Sequence, residues 1–326
     1  MKGKNKHQKF SLILPIYNNE DTIQAVLESI FKLDYPRDAY ELIIIDDGSK
    51  DKSIKIVKSM RPNLNITQNP ENLGRIKSRI KGAEIAQHER IMIIDARLEL
   101  NEDALQQANK FNSNTSLISN AYMDKTRSLD DRILYLIRKK IYSPYWGENF
   151  QEVQITKKNF KRISKGTGGF VTNKNLFLKY SSMLKGEAHE SDDTKLLYNY
   201  ILEGQKIIRT QKIKMLYKNR TGLKSLAHLF HRGPKFVDFY ISSFLKISIA
   251  FVSTAIIAGI GVYLILFYPT IFAACCLLLV AAFGLFCLYL SENFVDFISL
   301  ILYLPVIVIT FTLGVFRGMI IKLVKP

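Results

Sequence analysis

The stretch YELIIIDDGS (Tyr40–Ser49) decides how the N-terminal half folds. An aliphatic run without polar interruption is a strand buried on both faces, and such strands belong to parallel sheets. The run stops at Asp46-Asp47-Gly48-Ser49. Polar residues at the carboxyl end of a parallel strand stand where open α/β sheets bind ligands. Carboxylates there accept hydrogen bonds from a base or ribose, and Gly48 lets the turn approach closely. Ser49 also reads as an N-cap for a helix over Asp51–Met60, and the two uses are compatible.

The same pattern repeats on either side. Phe10–Ile16 (FSLILPI) is an apolar run ending in Tyr17-Asn18-Asn19, and Arg90–Ile94 ends in Asp95. Between them lie helical spacing over Glu20–Leu33, a strand over Asn63–Gln68 and a basic helix over Arg75–Gln87. This βαβαβ rhythm predicts a parallel sheet wrapped by helices. Beyond residue 110 the spacing predicts a helix over Ser128–Ile141 and a loop around the only tryptophan, Trp146. The cluster Gly166-Thr167-Gly168-Gly169 precedes Phe170–Leu178. A helix opened by His189-Glu190-Ser191-Asp192-Asp193 runs to Leu202, and a strand covers 206–217.

The chain has 326 residues and a formal net charge of +17, of which +15 falls before residue 241. That basic excess points to anionic partners: phosphorylated substrates, nucleic acid or an anionic membrane face. The carboxylates at the strand ends argue against nucleic acid. From Ile247 to Ser291 no residue is charged, and the run is split only at Tyr268-Pro269. Each half approaches the ~20 residues of a spanning helix. Phe297–Phe316 is a third uncharged run. The basic N-terminus lacks the apolar region of a signal peptide, so the polar part is expected on the cytoplasmic side. Three spans would put Arg317, Lys322 and Lys325 on the opposite side, so one run does not span or the positive-inside tendency yields. Thr221–Tyr240 is amphipathic and basic, the pattern of a helix lying at a membrane surface. Cys275, Cys276 and Cys287 all lie in the second apolar run and form neither a disulfide framework nor a metal spacing.

Several groups carry chemistry, each with a plainer alternative. Arg75 and Lys77 open a helix and suit a phosphate or a polar base edge, or are a solvated face. The glycine cluster is a turn, or a place where an acceptor comes close. Asp192 and Asp193 cap a helix, or one is a general base whose pKa its neighbour raises. His228, His231, Arg232 and Lys235 meet lipid headgroups or a diphosphate.

In their order, LPIYNNEDTI, IIIDDGSKD, NPENLGRIKSRIKGAEIA, the IIDA strand end, GTGGF, ESDDTKLLYNYILEGQKI and RTGLKSLAHLFHRG resemble the family 2 inverting glycosyltransferases. Within them the sequence is most similar to the membrane-bound exopolysaccharide glucosyltransferases of the succinoglycan-biosynthesis type. The resemblance spans about residues 10–240 and extends weakly to FTLGVFRG.

It implies an α/β fold: a GT-A catalytic domain with a Rossmann-like, doubly wound sheet over 1–220. An interfacial segment over 221–243 and transmembrane helices within 244–326, at 245–267, 270–290 and 297–316, follow. Pro15 and Tyr17 would line the nucleotide pocket. Asp47 would read the base beside Asp46, and Arg75 or Arg79 would face base or phosphates. Asp95 is the first Asp of a D-x-D motif, near ribose and metal. Asp193 matches the catalytic base, and Asp192 replaces the Glu before it. Gly168 and Gly169 would admit the acceptor. His228, His231 and Arg232 stand where the family approaches acceptor and diphosphate, but as His-x-x-His-Arg instead of Gln-x-x-Arg-aromatic.

The expected reaction moves a sugar from a nucleotide-sugar, UDP-sugar favoured, to a polyprenyl-linked saccharide in exopolysaccharide, capsule or O-antigen synthesis. The expected place is the bacterial inner membrane, among membrane lipids, with the catalytic domain in the cytoplasm. Direct transfer to polyprenyl phosphate, or a catalytically weak scaffold subunit, are the alternatives. One departure is chemical. The last D-x-D position, normally a metal ligand, is Arg97. That leaves a role for Mn2+ or Mg2+, held by Asp95, an open expectation.

Overall fold

The computed structural model describes residues 7–147, 150–184, 192–241 and 243–324, with the side chains of Asp192, Phe244, Lys246 and Phe251 left out. Its contacts divide the chain into two units, 1–124 with 141–219, and 125–140 with 220–326. Residues 125–140 therefore group with the C-terminal helices, although the sequence placed them inside the N-terminal domain.

The first unit opens with β1 (Phe10–Ile16), α1 (Ile23–Phe31), β2 (Tyr40–Asp46), α2 (Ser53–Met60), β3 (Ile66–Gln68), α3 (Arg75–Ile85) and β4 (Arg90–Ile93). β1 pairs in parallel with β2 and β4, and β2 with β3. The expected βαβ rhythm is therefore present, with helices and strands trimmed by a few residues at their ends. Then follow β5 (Leu98–Leu100), α4 (Ala104–Asn109), β6 (Ser116–Tyr122), α5 (Leu129–Ile141), β7 (Val153–Gln154), β8 (Phe170–Asn173), α6 (Lys174–Ser182), α7 (Asp192–Leu202) and β9 (Ile207–Tyr217). Among the described residues the strands form one sheet in the order β3-β2-β1-β4-β8-β6-β9-β5, with β7 beside β9. β8 runs antiparallel to both β4 and β6, so the sheet is mixed beyond β4.

Alternation on β1 sets the layers. Leu12, Leu14 and Ile16 pack with Ile23, Leu27 and Ile30 of α1 on one face. Ile13 points to the other face, where α3 crosses. A Cβ at Gly82 would overlap Ile13 Cγ2, so only glycine lets α3 approach this closely. That approach carries Arg75 and Arg79 to the carboxyl end of the sheet. The expected Ser49 cap is absent. Instead Asp51 Oδ1 accepts from the Ser53 amide at 2.9 Å, while Ser49 Oγ accepts from the Asn18 amide at 3.1 Å. The loop needs its hydroxyl elsewhere.

The second unit contains most of α5, then α8 (Gly222–Tyr240), α9 (Phe244–Phe267), α10 (Pro269–Leu290) and α11 (Phe294–Val324). Among the described residues, three helices, covering Ile247–Phe267, Pro269–Leu290 and Phe294–Val324, are long and apolar enough to cross a membrane. Leu277, Leu278, Leu279 and Val280 are 68–71% exposed, an apolar surface suited to lipid contact. α11 continues past both ends of the expected 297–316 run, because its charged residues have partners. Asp296 accepts from Arg132 Nε at 2.8 Å and Nη2 at 2.6 Å, and Lys322 pairs with Asp238 at 3.3 Å. α8 and α11 meet backbone to backbone. Side chains at Gly233, Gly314 or Gly318 would overlap the Gly314, Phe230 or Pro234 main chain respectively. Small residues at such seams are the usual route to close helix packing in lipid.

Gly82→Leu should cost the first unit about 1–3 kcal/mol by overpacking against Ile13. Chemical denaturation followed by the fluorescence of Trp146, which is buried, measures it.

Candidate active site

Two loops at the carboxyl edge are tied by one carboxylate. Asp47 is 3% exposed. Its Oδ1 accepts from Asn69 Nδ2 at 2.8 Å and the Leu73 amide at 3.0 Å, and its Oδ2 accepts from the Gly74 amide at 3.0 Å. Asp46, also buried, accepts from the Ser49 amide at 3.1 Å and Gln68 Nε2 at 3.4 Å. Gly48, at φ +78, abuts the Glu71 backbone. These two carboxylates were expected to face a base. They hold the loops at this edge, and with three donors on its two oxygens Asp47 keeps one acceptor position for a base. Tyr17 is exposed beside them, at a turn where Asn18 adopts φ 49, and Pro15 sits half-buried in β1 opposite Ile45.

A charged cluster follows β4. Asp95 caps its own turn: Oδ1 accepts from the Arg97 amide at 3.1 Å and from Arg97 Nε at 3.3 Å. Asp193, in the first turn of α7, lies between two cations of α3. Arg79 Nη1 is 2.7 Å from Oδ1, and Arg75 Nη2 is 3.0 Å from Oδ2. Arg79 is 1% exposed and Arg75 39%. Both were expected at base or phosphates, and both are here bound to Asp193. Thr167 completes the arrangement. Fully buried, it donates its hydroxyl hydrogen to Asp193 and accepts from Arg79 Nη1 at 2.6 Å.

Burial alone would push the Asp193 carboxyl up. The charges of Arg75 and Arg79 and the hydrogen bond from Thr167 outweigh it and hold the group far below the usual carboxylate range. Burial likewise opposes ionisation of Asp95, and Arg97, Arg75 and Arg79 together lower its pKa. Asp95 therefore feels the same arginines as Asp193, which makes the five side chains one electrostatic group.

The glycine cluster has a use the sequence left open. A Cβ at Gly168 would stand 2.8 Å from Leu98 Cδ1 and 3.0 Å from Asp95 Cβ, and one at Gly169, at φ +76, would overlap Ser119. Gly168 admits the protein's own Asp95 turn, and Gly169 admits Ser119 of β6. Thr167, within the same cluster, was missed as a site residue, although a lone hydroxyl among glycines was the available signal. Tyr217, whose ring lies 5.3 Å from the Arg97 guanidinium carbon, gave no signal. Asp192 begins α7, but its side chain, like His189 and Glu190, lies outside the described residues. His228, His231 and Arg232 lie on α8 in the second unit, where His231 and Arg232 are exposed.

The Glycosyl transferase family 2 model matches residues 11–177, about half the chain, from β1 into α6, and stops short of α7 and Asp193. The chain belongs to glycosyl transferase family 2. Among curated relatives, the poly(ribitol-phosphate) beta-N-acetylglucosaminyltransferase TarS of Staphylococcus aureus is 34% identical over 106 residues, 32% of this chain and 18% of TarS. The poly-beta-1,6-N-acetyl-D-glucosamine synthase of Staphylococcus epidermidis is 32% identical over 106 residues, 31% of this chain and 25% of that enzyme. The chain thus matches a quarter or less of either relative's length. Among solved structures, TarS 1–349 in complex with UDP-GlcNAc aligns at a TM-score of 0.52 and 19% identity, over 71% of this chain and 67% of that one. The mannosyltransferase PcManGT from Pyrobaculum calidifontis, in complex with GDP-Man and Mn2+, aligns at 0.51 and 17% over 99% of this chain and 88% of its own. At these identities the likeness is one of fold, and the fold is GT-A.

The donor set of this family 2 member does not fit a divalent cation. Such ions want several oxygen ligands. Asp95 spends an oxygen on Arg97, Asp193 is held by two guanidinium groups, and among the described side chains the cluster carries three cations against two carboxylates. Among the described residues no group of three His, Cys, Asp or Glu side chains is placed to hold a metal.

An acid-titration test follows. An Asp in the unfolded chain titrates near ~3.9, above its depressed folded value, so Asp193 adds stability above about pH 4 and loses it as pH falls further. Asp193→Asn should destabilise the first unit at pH 7 by about 1–3 kcal/mol, less than for a fully buried pair because Arg75 is partly solvated. That gap should narrow below about pH 4 in denaturation curves of the two proteins.

Proposed function

We propose that the chain transfers a sugar, with inversion, from a nucleotide-sugar to a lipid-linked saccharide at a membrane surface. The observation that carries this is the cluster of Asp193, Arg75, Arg79, Asp95 and Arg97 at the carboxyl end of a family 2 sheet. Asp193 takes the proton of an acceptor hydroxyl. The hydroxyl oxygen attacks the anomeric carbon while the bond to the diphosphate breaks on the opposite face, and the diphosphate leaves with the electron pair. Stabilising that departing charge is the main electrostatic task, and it falls to guanidinium groups. Arg75, the more solvated partner of Asp193, turns toward the diphosphate. As it leaves, its hold on the Asp193 carboxyl weakens and the carboxylate becomes a stronger base.

The nucleotide pocket in this reading is framed by Pro15, Tyr17 and the loops held by Asp46 and Asp47. The backbone of Gly168 and Gly169 serves the acceptor side. UDP-sugars are favoured as donors. Relatives named for poly(ribitol-phosphate) and poly-beta-1,6-N-acetyl-D-glucosamine support a polymeric product, and one from Methanococcus voltae, 39% identical over 51 residues, is named for a dolichyl-phosphate-linked sugar acceptor. Helices apolar enough to cross a membrane support a lipid-borne acceptor and a place in the bacterial inner membrane.

Membranes containing the full chain, offered UDP- and GDP-sugars with polyprenyl-diphosphate saccharides, should form an extended glycolipid of inverted anomeric configuration. Asp193→Ala should reduce transfer by about 10²–10⁴-fold, the usual worth of a general base, while nucleoside diphosphate binding persists. Unchanged transfer in that variant would remove Asp193 from the mechanism. Product formed only on free polyprenyl phosphate would change the acceptor assigned here.

A further inference from the structure

We propose that Arg97 is the resident cation of the diphosphate subsite, so that this chain binds its nucleoside diphosphate without a divalent metal. The inference rests on the nucleotide-sugar reading and deepens it.

The turn that carries Arg97 is fixed on every side. Leu98 N donates to Asp95 O at 2.9 Å, Lys218 N to Arg97 O at 2.9 Å, and Thr22 Oγ1 to Ala96 O at 2.7 Å. The side chain is equally constrained. Its Nε is committed to Asp95, its guanidinium carbon lies 5.3 Å from the Tyr217 ring centre, and it is 13% exposed. A guanidinium packed near an aromatic ring and tied at one edge loses little freedom when its other edge binds a ligand. That other edge is available: among the described residues, Nη1 and Nη2 of Arg97 have no protein hydrogen-bond partner, and an oxyanion matches their fork.

The neighbours decide which ligand charge belongs there. Among the described side chains, Arg75, Arg79 and Arg97 outnumber Asp95 and Asp193 by one. A divalent cation entering this group would meet a surplus of positive charge, and its closest carboxylate oxygen already faces Arg97. A diphosphate entering it meets the opposite. Arg97 thus supplies, as part of the chain, the charge a bound ion would otherwise bring.

The test is calorimetric titration of the detergent-solubilised full chain with UDP and with GDP, in EDTA and in Mn2+. The tighter of the two nucleotides should bind with affinities within about twofold in the two media. Arg97→Gln should weaken it about tenfold or more in both, the worth of a charge-assisted hydrogen bond. Arg97→Lys, which keeps the charge without the fork, should lose less and stay insensitive to EDTA. Arg97→Asp should bind the nucleotide only in Mn2+, and its Mn2+ spin-resonance signal should broaden on nucleotide addition while that of the native chain stays unchanged. Thermal unfolding of each variant separates loss of binding from loss of fold. Native binding that collapses in EDTA, or an Arg97→Gln variant that folds and binds as the native chain does, overturns the inference and leaves the nucleotide-sugar reading standing. If neither nucleotide binds in either medium, both fall.

Discussion

Two carboxylates and three guanidinium groups share the carboxyl edge of the sheet, and neither sign is stable there without the other. Arg79 is almost wholly buried, and its charge is tolerated because Asp193 lies 2.7 Å away. Asp193 stays ionised in partial burial because Arg75 and Arg79 flank it. A buried ion pair is expensive to assemble and more expensive to break. The pairing therefore ties two segments distant in sequence, the start of α3 and the start of α7. Thr167 binds a third, since its hydroxyl touches both Arg79 and Asp193.

Around this cluster the chain uses close backbone approach in place of bulk. Gly82 brings α3 onto β1, and Gly168 brings its loop onto the Asp95 turn. Asp47 fastens the loop before α3 with three hydrogen bonds. Each contact moves charged side chains toward one another while their helices and strands remain regular. The result is a polar centre built on rigid elements, the condition for electrostatic work without reorganisation.

Much of the fold was legible because hydrophobic period is local. FSLILPI, YELIIID and RIMI read as strands, and Ile23, Val26, Leu27 and Ile30 as a helix face, and they fold so. The antiparallel insertion of β8 between β4 and β6 was not legible, since pairing partners leave no trace in spacing. At the site, strand-end carboxylates were visible as types in places, but their use was not. Asp47, expected at a ligand, also accepts two backbone amides and the Asn69 side chain from the loop 69–74. Arg75 and Arg79 were expected at phosphates and meet Asp193, more than a hundred residues away in sequence. The ends of α11 were misjudged for a similar reason. Charges at Asp296 and Lys322 looked like boundaries until Arg132 and Asp238 were found opposite them.

The seam of Gly233, Gly314 and Gly318 has a consequence for how the protein is made. α8 leaves the ribosome well before α11, and the surface it packs against does not yet exist. The same holds for Arg132, whose partners Glu292 and Asp296 are translated some 160 residues later. The first unit has all its strands once β9 is synthesised, and it is free to fold during translation. The second unit waits for the last helix. A ribosome that stalls within α11 would therefore leave a chain with a finished sheet and an unmatched glycine on α8.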